Sequence, residues 1–129
     1  MKHTIYIGTH GDFCKEIMQS AQMIIGEMQN TYPCPLLPTE SLKDYLEKAE
    51  QLINIHYQPG DIVLVDLRGG TPSNAFTFLA KKYDLTLITG LNLPLLIESY
   101  LYLQDHPDDV AGLKDQVKKT YEEAFHIVE

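Results

Sequence analysis

The sequence contains little cysteine, few basic residues and no long apolar run. Only two cysteines occur among its 129 residues, and they do not form the C-x-x-C pair typical of zinc sites. The sequence has ten basic and eighteen acidic residues, and the basic residues do not cluster. The formal charge of −8 therefore argues against binding to nucleic acid or to an anionic membrane. No apolar run approaches the roughly 20 residues that a membrane span needs, and the N-terminus has no signal-peptide segment. We therefore expect a cytoplasmic globular protein in which Cys14 and Cys34 stay reduced.

The pattern that is present alternates strands with helices along a single domain, residues 1–129. Runs of β-branched and apolar residues predict strands, and apolar residues at three- and four-residue steps predict amphipathic helices. The predicted strands are residues 2–7, 31–37, 61–66, 85–89 and, as a short last strand, 124–128. The predicted helices are residues 13–28, 42–53, 71–82, 94–103 and 109–123, the second capped by Thr39 or Ser41 and the third by Thr71.

The order of the strands follows from proline and from burial. Pro33 and Pro35 interrupt the second strand, and a proline cannot donate to a strand ladder, so this strand belongs at a sheet edge. The third strand, Asp61-Ile62-Val63-Leu64-Val65-Asp66, has a continuous apolar centre that suits burial on both faces. Four consecutive strand–helix units thus predict an α/β fold, with a doubly wound, mostly parallel sheet of order 2-1-3-4 and helices on both faces.

His10 lies where the first predicted strand ends, in Ile7-Gly8-Thr9-His10-Gly11. In a sheet of order 2-1-3-4 the winding reverses between the first and third strands, and ligands bind there at the carboxyl ends of the strands. Asp66 ends the third strand, so we expect it to face His10 across this crevice. A hydrogen bond from His10 Nδ1–H to Asp66 would fix the tautomer and leave Nε2 free to react. Alternatively, Asp66 caps the following turn or pairs with Arg68.

A second element follows Asp66, in Gly69-Gly70-Thr71-Pro72-Ser73-Asn74. The glycines allow a tight turn into a helix, whose unpaired N–H groups and dipole favour an anion. Thr71 is positioned to cap this helix and to offer its hydroxyl to a phosphate. The segment lacks the G-K-[ST] of a Walker loop, and no G-x-G-x-x-G follows the first strand. We therefore expect Gly69, Gly70 and Thr71 to bind a phosphoryl group rather than a nucleotide.

These parts together suit phosphorylation of a histidine. Neutral Nε2 of His10 would attack, Asp66 would stabilise the positive charge, and the helix amides would hold the phosphoryl oxygens. Neither a Mg²⁺ cluster nor a nucleotide motif is visible, so we expect no metal or cofactor and another phosphoprotein as the donor. Phe13, Arg68 and Leu93 would rim the crevice and face that partner. The remaining histidines are interpreted as structural or solvated: His3, His56, His106 and His126.

Three segments carry a resemblance to a known family. At the expected strand ends lie, in order, Ile7-Gly8-Thr9-His10-Gly11, then Val63-Leu64-Val65-Asp66 with Gly69-Gly70-Thr71-Pro72-Ser73-Asn74-Ala75, then Gly90-Leu91-Asn92-Leu93-Pro94. Together they resemble the enzyme IIA domain of the mannose-type sugar phosphotransferase system, over residues 1–127. Some members of that family have an aromatic residue where Asp12 stands, or a serine where Thr71 stands. Some also continue through a linker into a IIB domain.

The resemblance implies a phosphocarrier. The histidine matching His10 would take a phosphoryl group on Nε2 from the phosphocarrier protein HPr. It would pass the group to a histidine of enzyme IIB, which phosphorylates the sugar as it enters through the membrane subunits. The residue matching Asp66 would orient the histidine, and the hydroxyl of Thr71 would lie beside the phosphate. The family also implies a homodimer in which the last strand, near residues 124–128, is exchanged between subunits.

Other functions stay open on the sequence alone. One is a regulatory module, or a phosphorelay module of the dihydroxyacetone-kinase type, that uses the same histidine without onward transfer to a transport IIB. Another is a flavodoxin-like domain that binds a small anion reversibly at the crevice. Covalent phosphorylation would separate the first class from the second. The identity of the sugar is not encoded in these residues.

Overall fold

The fold is a four-stranded parallel sheet with five helices, described over residues 1–129 by a computed structural model. The strands are β1 (Ile5–His10), β2 (Thr31–Leu36), β3 (Asp61–Val65) and β4 (Leu85–Thr89). The helices are α1 (Phe13–Ile25), α2 (Leu42–His56), α3 (Thr71–Leu79), α4 (Leu93–Asp105) and α5 (Val110–Ala124). The sheet order is β2-β1-β3-β4, and each neighbouring pair is parallel. The predicted fold class and strand order are therefore confirmed.

The register of the strands determines which backbone groups are unpaired at the carboxyl edge of the sheet. β2, with its two prolines, forms one edge, and β3 is buried over its whole length. Gly8 and Val65 are the last paired residues of β1 and β3. β1 continues past that pair for Thr9 and His10, which still pair with β2. His10 therefore stands at the end of β1 with no backbone partner from β3 beside it.

Helices cover both faces of the sheet, as the sequence predicts. Ile5 and Ile7 of β1 point to a core formed with α1, α4 and α5, whereas Tyr6 points to a core formed with α2 and α3. This alternation is the two-residue period of a strand. Thr9 and His10 continue it, so their side chains leave the sheet on opposite faces.

The ends of the helices follow local chemistry, which decides between two predicted caps and corrects two other predictions. Of the two candidates Thr39 and Ser41, it is Ser41 that caps α2, through a capping box with Asp44. Gly70 is the N-cap of α3 and Thr71 is the first residue inside the helix, so the predicted cap at Thr71 is wrong. Gly26, with φ of +83°, ends α1 three residues before the predicted end, because glycine readily adopts this conformation and thereby stops the helix.

The C-terminal residues do not form the predicted strand within one chain. Ala124 ends α5, and residues 125–129 are exposed and lack regular structure. A strand requires a neighbour with which to pair, and this segment meets none in the single chain. No helix is both long enough and apolar enough to span a membrane.

Candidate functional site

His10 and Asp66 are in direct contact at the carboxyl edge of the sheet. Oδ2 of Asp66 lies 3.0 Å from Nδ1 of His10. The same oxygen accepts a hydrogen bond from the backbone N–H of His10 at 2.9 Å. The backbone amide is free for this bond because β1 has already passed its last pair with β3. The alternative pairing of Asp66 with Arg68 does not occur. Two bonds from one carboxylate oxygen thus fix both the backbone and the ring of His10.

The other ring nitrogen, Nε2, faces the beginning of α3. It makes no hydrogen bond within the chain, and a Cβ added to Gly70 would lie 3.2 Å from it and 2.6 Å from Cε1. Only a residue without a side chain allows the ring to lie this close to the helix terminus. The imidazole as a whole is 47% exposed, so the ring is open to solvent at this edge.

Gly8 brings α3 close enough for this contact. A Cβ at Gly8 would lie 2.8 Å from the ring of Phe76 and 2.8 Å from the hydroxyl of Tyr45. Phe76 belongs to α3, and Tyr45 donates a hydrogen bond to the carbonyl of Cys34 in β2. The glycine before Thr9 therefore has a packing role, because it lets α2 and α3 approach the strand that carries His10.

The beginning of α3 offers unpaired donors beside Nε2. The backbone amides of Thr71 and Ser73 have no acceptor within the chain, and the Thr71 hydroxyl makes no hydrogen bond either. Gly69 has φ of +82°, a conformation that favours glycine and turns the chain into the helix. Amides at a helix N-terminus bind anions. Because Gly70 rather than Thr71 is the N-cap of α3, the Thr71 hydroxyl is not bound to its own helix.

The three residues predicted to face a partner all lie at this edge of the sheet. Phe13 begins α1, Leu93 begins α4, and both line one shallow groove. Arg68 is exposed in the loop between β3 and α3 and forms no ion pair. Leu37 and Leu67 are two further apolar residues here that were not predicted; they are 42% and 59% exposed, directly after β2 and after Asp66. An apolar residue just beyond a strand end is the signal that could have identified them.

Thr9 is a further residue that the sequence analysis did not single out. It is fully buried, although the next residue, His10, is exposed. Its hydroxyl donates to the carbonyl of Gly11 at 3.0 Å and accepts the backbone N–H of Cys14 at 2.8 Å. These bonds connect the end of β1 to the first turn of α1.

The other titratable groups lie away from this edge. His3 and Asp61 are buried at the amino end of the sheet, where Nδ1 of His3 lies 3.9 Å from Oδ1 of Asp61. Burial raises the pKa of the Asp61 carboxyl, against hydrogen bonds from Gln58, Thr4 and Tyr6 that lower it. The two cysteines are free and buried. No group of three or more metal-ligating side chains occurs in the chain.

Known proteins are similar to this chain in both sequence and fold. A family profile, EIIA-man, described as the PTS system fructose IIA component, matches residues 4–118. The PTS system mannose-specific EIIAB component of Escherichia coli (strain K12) is 33% identical over 117 residues, which cover 88% of this chain. The chain spans only 36% of the length of that relative. The PTS system fructose-specific EIIA component of Bacillus subtilis (strain 168) is 33% identical over 129 residues, covering 96% of this chain and 85% of that protein.

Solved structures agree with this match. The mannose/sorbose specific IIA subunit of the phosphotransferase system from Enterococcus faecalis superposes with a TM-score of 0.89 at 26% identity, covering 100% of this chain and 96% of that one. The phosphotransferase system component EIIA from Streptococcus agalactiae gives a TM-score of 0.86 at 30% identity, and the match covers 96% of this chain and 95% of that one. The similarity therefore extends over essentially the whole of both chains.

Proposed function

Because the chain belongs to the mannose-type enzyme IIA family of the sugar phosphotransferase system, we propose that it is a cytoplasmic phosphocarrier with His10 as its phosphoryl acceptor. The donor is the phosphorylated carrier protein HPr, and the acceptor is a histidine of enzyme IIB. IIB in turn serves the membrane subunits that import the sugar. The observation that carries the proposal is the contact of His10 Nδ1 with Asp66 at 3.0 Å, which leaves Nε2 facing the helix amides.

The reaction needs no proton to leave the acceptor ring. Nδ1 keeps its hydrogen and donates it to Asp66, so the lone pair resides on Nε2. As Nε2 bonds to phosphorus, the bond between phosphorus and the donor atom of HPr breaks, and its electron pair returns to that donor atom. The His10 ring gains positive charge in this step, and the adjacent carboxylate of Asp66 stabilises that charge. Transfer to IIB reverses the same steps with a new acceptor.

The beginning of α3 supplies the groups for the phosphoryl oxygens. The amides of Thr71 and Ser73 are unpaired, and the hydroxyl of Thr71 makes no bond of its own. Gly69 and Gly70 complete this anion site, because Gly69 turns the backbone with φ of +82° and Gly70 has no side chain that would displace the ring. Helix N-termini stabilise negative charge through such amides and the helix dipole.

The surface around His10 fits a protein donor. Phe13 and Leu93 line a groove at the same edge of the sheet, and Leu37 and Leu67 add exposed apolar area. Arg68, in the loop that follows Asp66, is exposed and forms no ion pair. Small interfaces with an apolar centre suit encounters that must form and break quickly. HPr and IIB would therefore use this face in turn.

Phosphorylation by labelled HPr tests the proposal. With phospho-HPr in excess, the chain should gain one acid-labile, base-stable phosphate, and His10→Ala should gain none. His126→Ala is the matched control, because His126 is exposed and lies outside the regular structure, and it should be labelled like the unmodified chain. A folded protein that takes no label, or a His10→Ala variant that is still labelled, would contradict the proposal.

The fate of the phosphoryl group separates the possible roles of the carrier. A transport component should lose its label rapidly when cognate IIB is added. A regulatory module, or one that serves a dihydroxyacetone kinase, should keep its label in the presence of IIB. Reversible binding of inorganic phosphate without covalent labelling would instead indicate a simple anion-binding domain.

We also propose that the protein is a homodimer joined through its C-terminal segment. Phe125, Ile127 and Val128 are 75%, 69% and 86% exposed, and β4 is an edge strand with one open side. An exposed apolar segment and an unpaired strand edge fit each other across two copies. Sedimentation should give the mass of a dimer, and Ile127→Asp should shift it towards a monomer. A monomeric unmodified chain at micromolar concentration would argue against this arrangement.

A further inference from the structure

The loop that carries His10 is closed by a hydroxyl on the opposite face of the sheet. His10 points towards α3, whereas Thr9 points towards α1, as strand alternation requires. Gly11 has φ of +59°, and no atom would lie within 4 Å of a Cβ at that position. No packing therefore restrains Gly11 itself, and the conformation of this residue depends on its hydrogen bonds.

Two of those bonds are made by the Thr9 hydroxyl. Asp12 occupies the N-cap of α1 but makes no side-chain capping bond, so the amide of Cys14 would be unpaired without another acceptor. The Thr9 hydroxyl accepts that amide at 2.8 Å and donates to the Gly11 carbonyl at 3.0 Å. Gly11 in turn donates its own N–H to Leu36 at 2.7 Å. Both polar backbone groups of the residue after His10 are thereby fixed.

We infer that Thr9 is a positioning residue for phosphoryl transfer at His10. Its hydroxyl acts through the 9–14 loop, whereas Asp66 acts on the His10 ring and amide directly. The two together hold the ring between Asp66 and Gly70, with Nε2 towards the unpaired amides. This inference rests on the proposed function for its effect on rate, but its effect on the ring can be measured without any transfer.

Removal of the hydroxyl should misplace the ring. Thr9→Val keeps the size and β-branching of the side chain, but it leaves the Cys14 amide without its acceptor and the Gly11 carbonyl with only the weak contact of the Cys14 thiol at 3.8 Å. A misplacement of about 1 Å can slow a positioned reaction by about 100-fold. We therefore expect phosphorylation of Thr9→Val by phospho-HPr to be about 10- to 100-fold slower. Thr9→Ser retains the donor and the acceptor and should restore the rate to within about threefold, since its hydroxyl has the same bonding capacity.

Thr4→Val is the matched control. Thr4 is also buried, precedes β1, and donates its hydroxyl to the carbonyl of His56 at 2.9 Å, at the end of the sheet away from His10. The variant should lose stability by an amount similar to Thr9→Val and keep the normal phosphorylation rate. If Thr9→Val does not fold, Thr9→Cys takes its place, since a thiol is only a weak donor and acceptor.

Nitrogen NMR of the unphosphorylated protein gives the second readout. The His10 Nδ1–H signal that reports its bond to Asp66 should be present in the unmodified chain and in Thr9→Ser, and should exchange with water faster in Thr9→Val. A Thr9→Val protein with unchanged ring signals and an unchanged rate would overturn the inference, as would equal slowing by Thr4→Val. If no variant accepts phosphate but the ring signals change as expected, the positioning role stands and the proposed function fails.

Discussion

The substitution Asp66→Asn tests how much the carboxylate contributes to phosphorylation of His10. It removes the negative charge beside Nδ1 while keeping nearly the same shape. The side chain of Asp66 is 15% exposed and that of His10 is 47% exposed, so the pair is partly screened by solvent. The bond to the backbone amide of His10 can persist through the asparagine carbonyl, which separates the loss of charge from a loss of structure.

The magnitude follows from the distance between the two groups. For full charges at 3.0 Å, Coulomb's law gives about 1.4 kcal/mol at the dielectric constant of water and about 5.5 kcal/mol at an effective value of about 20. Partial exposure of the imidazole supports a value between these limits, roughly 2–3 kcal/mol. Because a tenfold change in rate corresponds to about 1.4 kcal/mol, Asp66→Asn should be phosphorylated roughly 30- to 150-fold more slowly.

The assay is the initial rate of transfer from phospho-HPr, measured by rapid quench below saturation. Asp84→Asn is the matched control, because Asp84 is an exposed carboxylate just before β4, at the amino end of the sheet. It should be phosphorylated at the normal rate. A folded Asp66→Asn protein that is phosphorylated within about twofold of the unmodified rate, less than 0.5 kcal/mol of barrier, would refute the electrostatic role of Asp66.

Three further substitutions test the packing, the buried charge and the helix caps. Gly70→Ala should slow phosphorylation by about 100-fold in the same assay, because its Cβ would lie 2.6 Å from Cε1 of His10 and displace the ring. Asp61→Asn should remove a pH-dependent contribution to stability. Burial raises the pKa of Asp61 above 3.8, so the folded state binds this proton more tightly. The unfolding free energy of the unmodified chain, relative to that of the variant, should therefore fall as the pH rises from 3.8 through the raised pKa of Asp61. Ser41→Ala should lower the unfolding free energy by about 1 kcal/mol in urea, because it removes the cap of α2.

Each of these three predictions can be contradicted by a specific result. A Gly70→Ala protein phosphorylated at the normal rate would mean that the ring does not need its position against α3. A difference between Asp61→Asn and the unmodified chain that stays constant or rises with pH would contradict the raised pKa. A slower phosphorylation rate in Ser41→Ala would show that changes remote from His10 also alter the rate, so that the other variants could not be interpreted locally.

The sheet and the central pair of residues were accessible from the sequence. Proline in β2 and continuous burial in β3 determine the strand order, and that order brings the ends of β1 and β3 together. This order predicts that His10 and Asp66 lie at the same crevice. It leaves open whether Asp66 bonds to His10, caps the following turn or pairs with Arg68, and only the structure shows the bond to His10.

The finer contacts depend on register and packing, which periodicity does not report. The cap of α3 falls on Gly70 rather than Thr71, although threonine is usually the better cap. The role of Thr9 arises because α1 begins without a capping side chain of its own, a fact that appears only in three dimensions. The last strand, predicted over residues 124–128, requires a neighbour that one chain does not provide.

The central claim is that Nε2 of His10 carries the phosphoryl group while Nδ1 remains bonded to Asp66. Nitrogen-15 NMR of the histidine-labelled protein, recorded before and after phosphorylation by HPr, tests it most directly. The prediction is a single phosphohistidine, at His10, with phosphorus coupled to Nε2 and a proton retained on Nδ1. Phosphorus coupled to Nδ1, or to the ring of any other histidine, would contradict it.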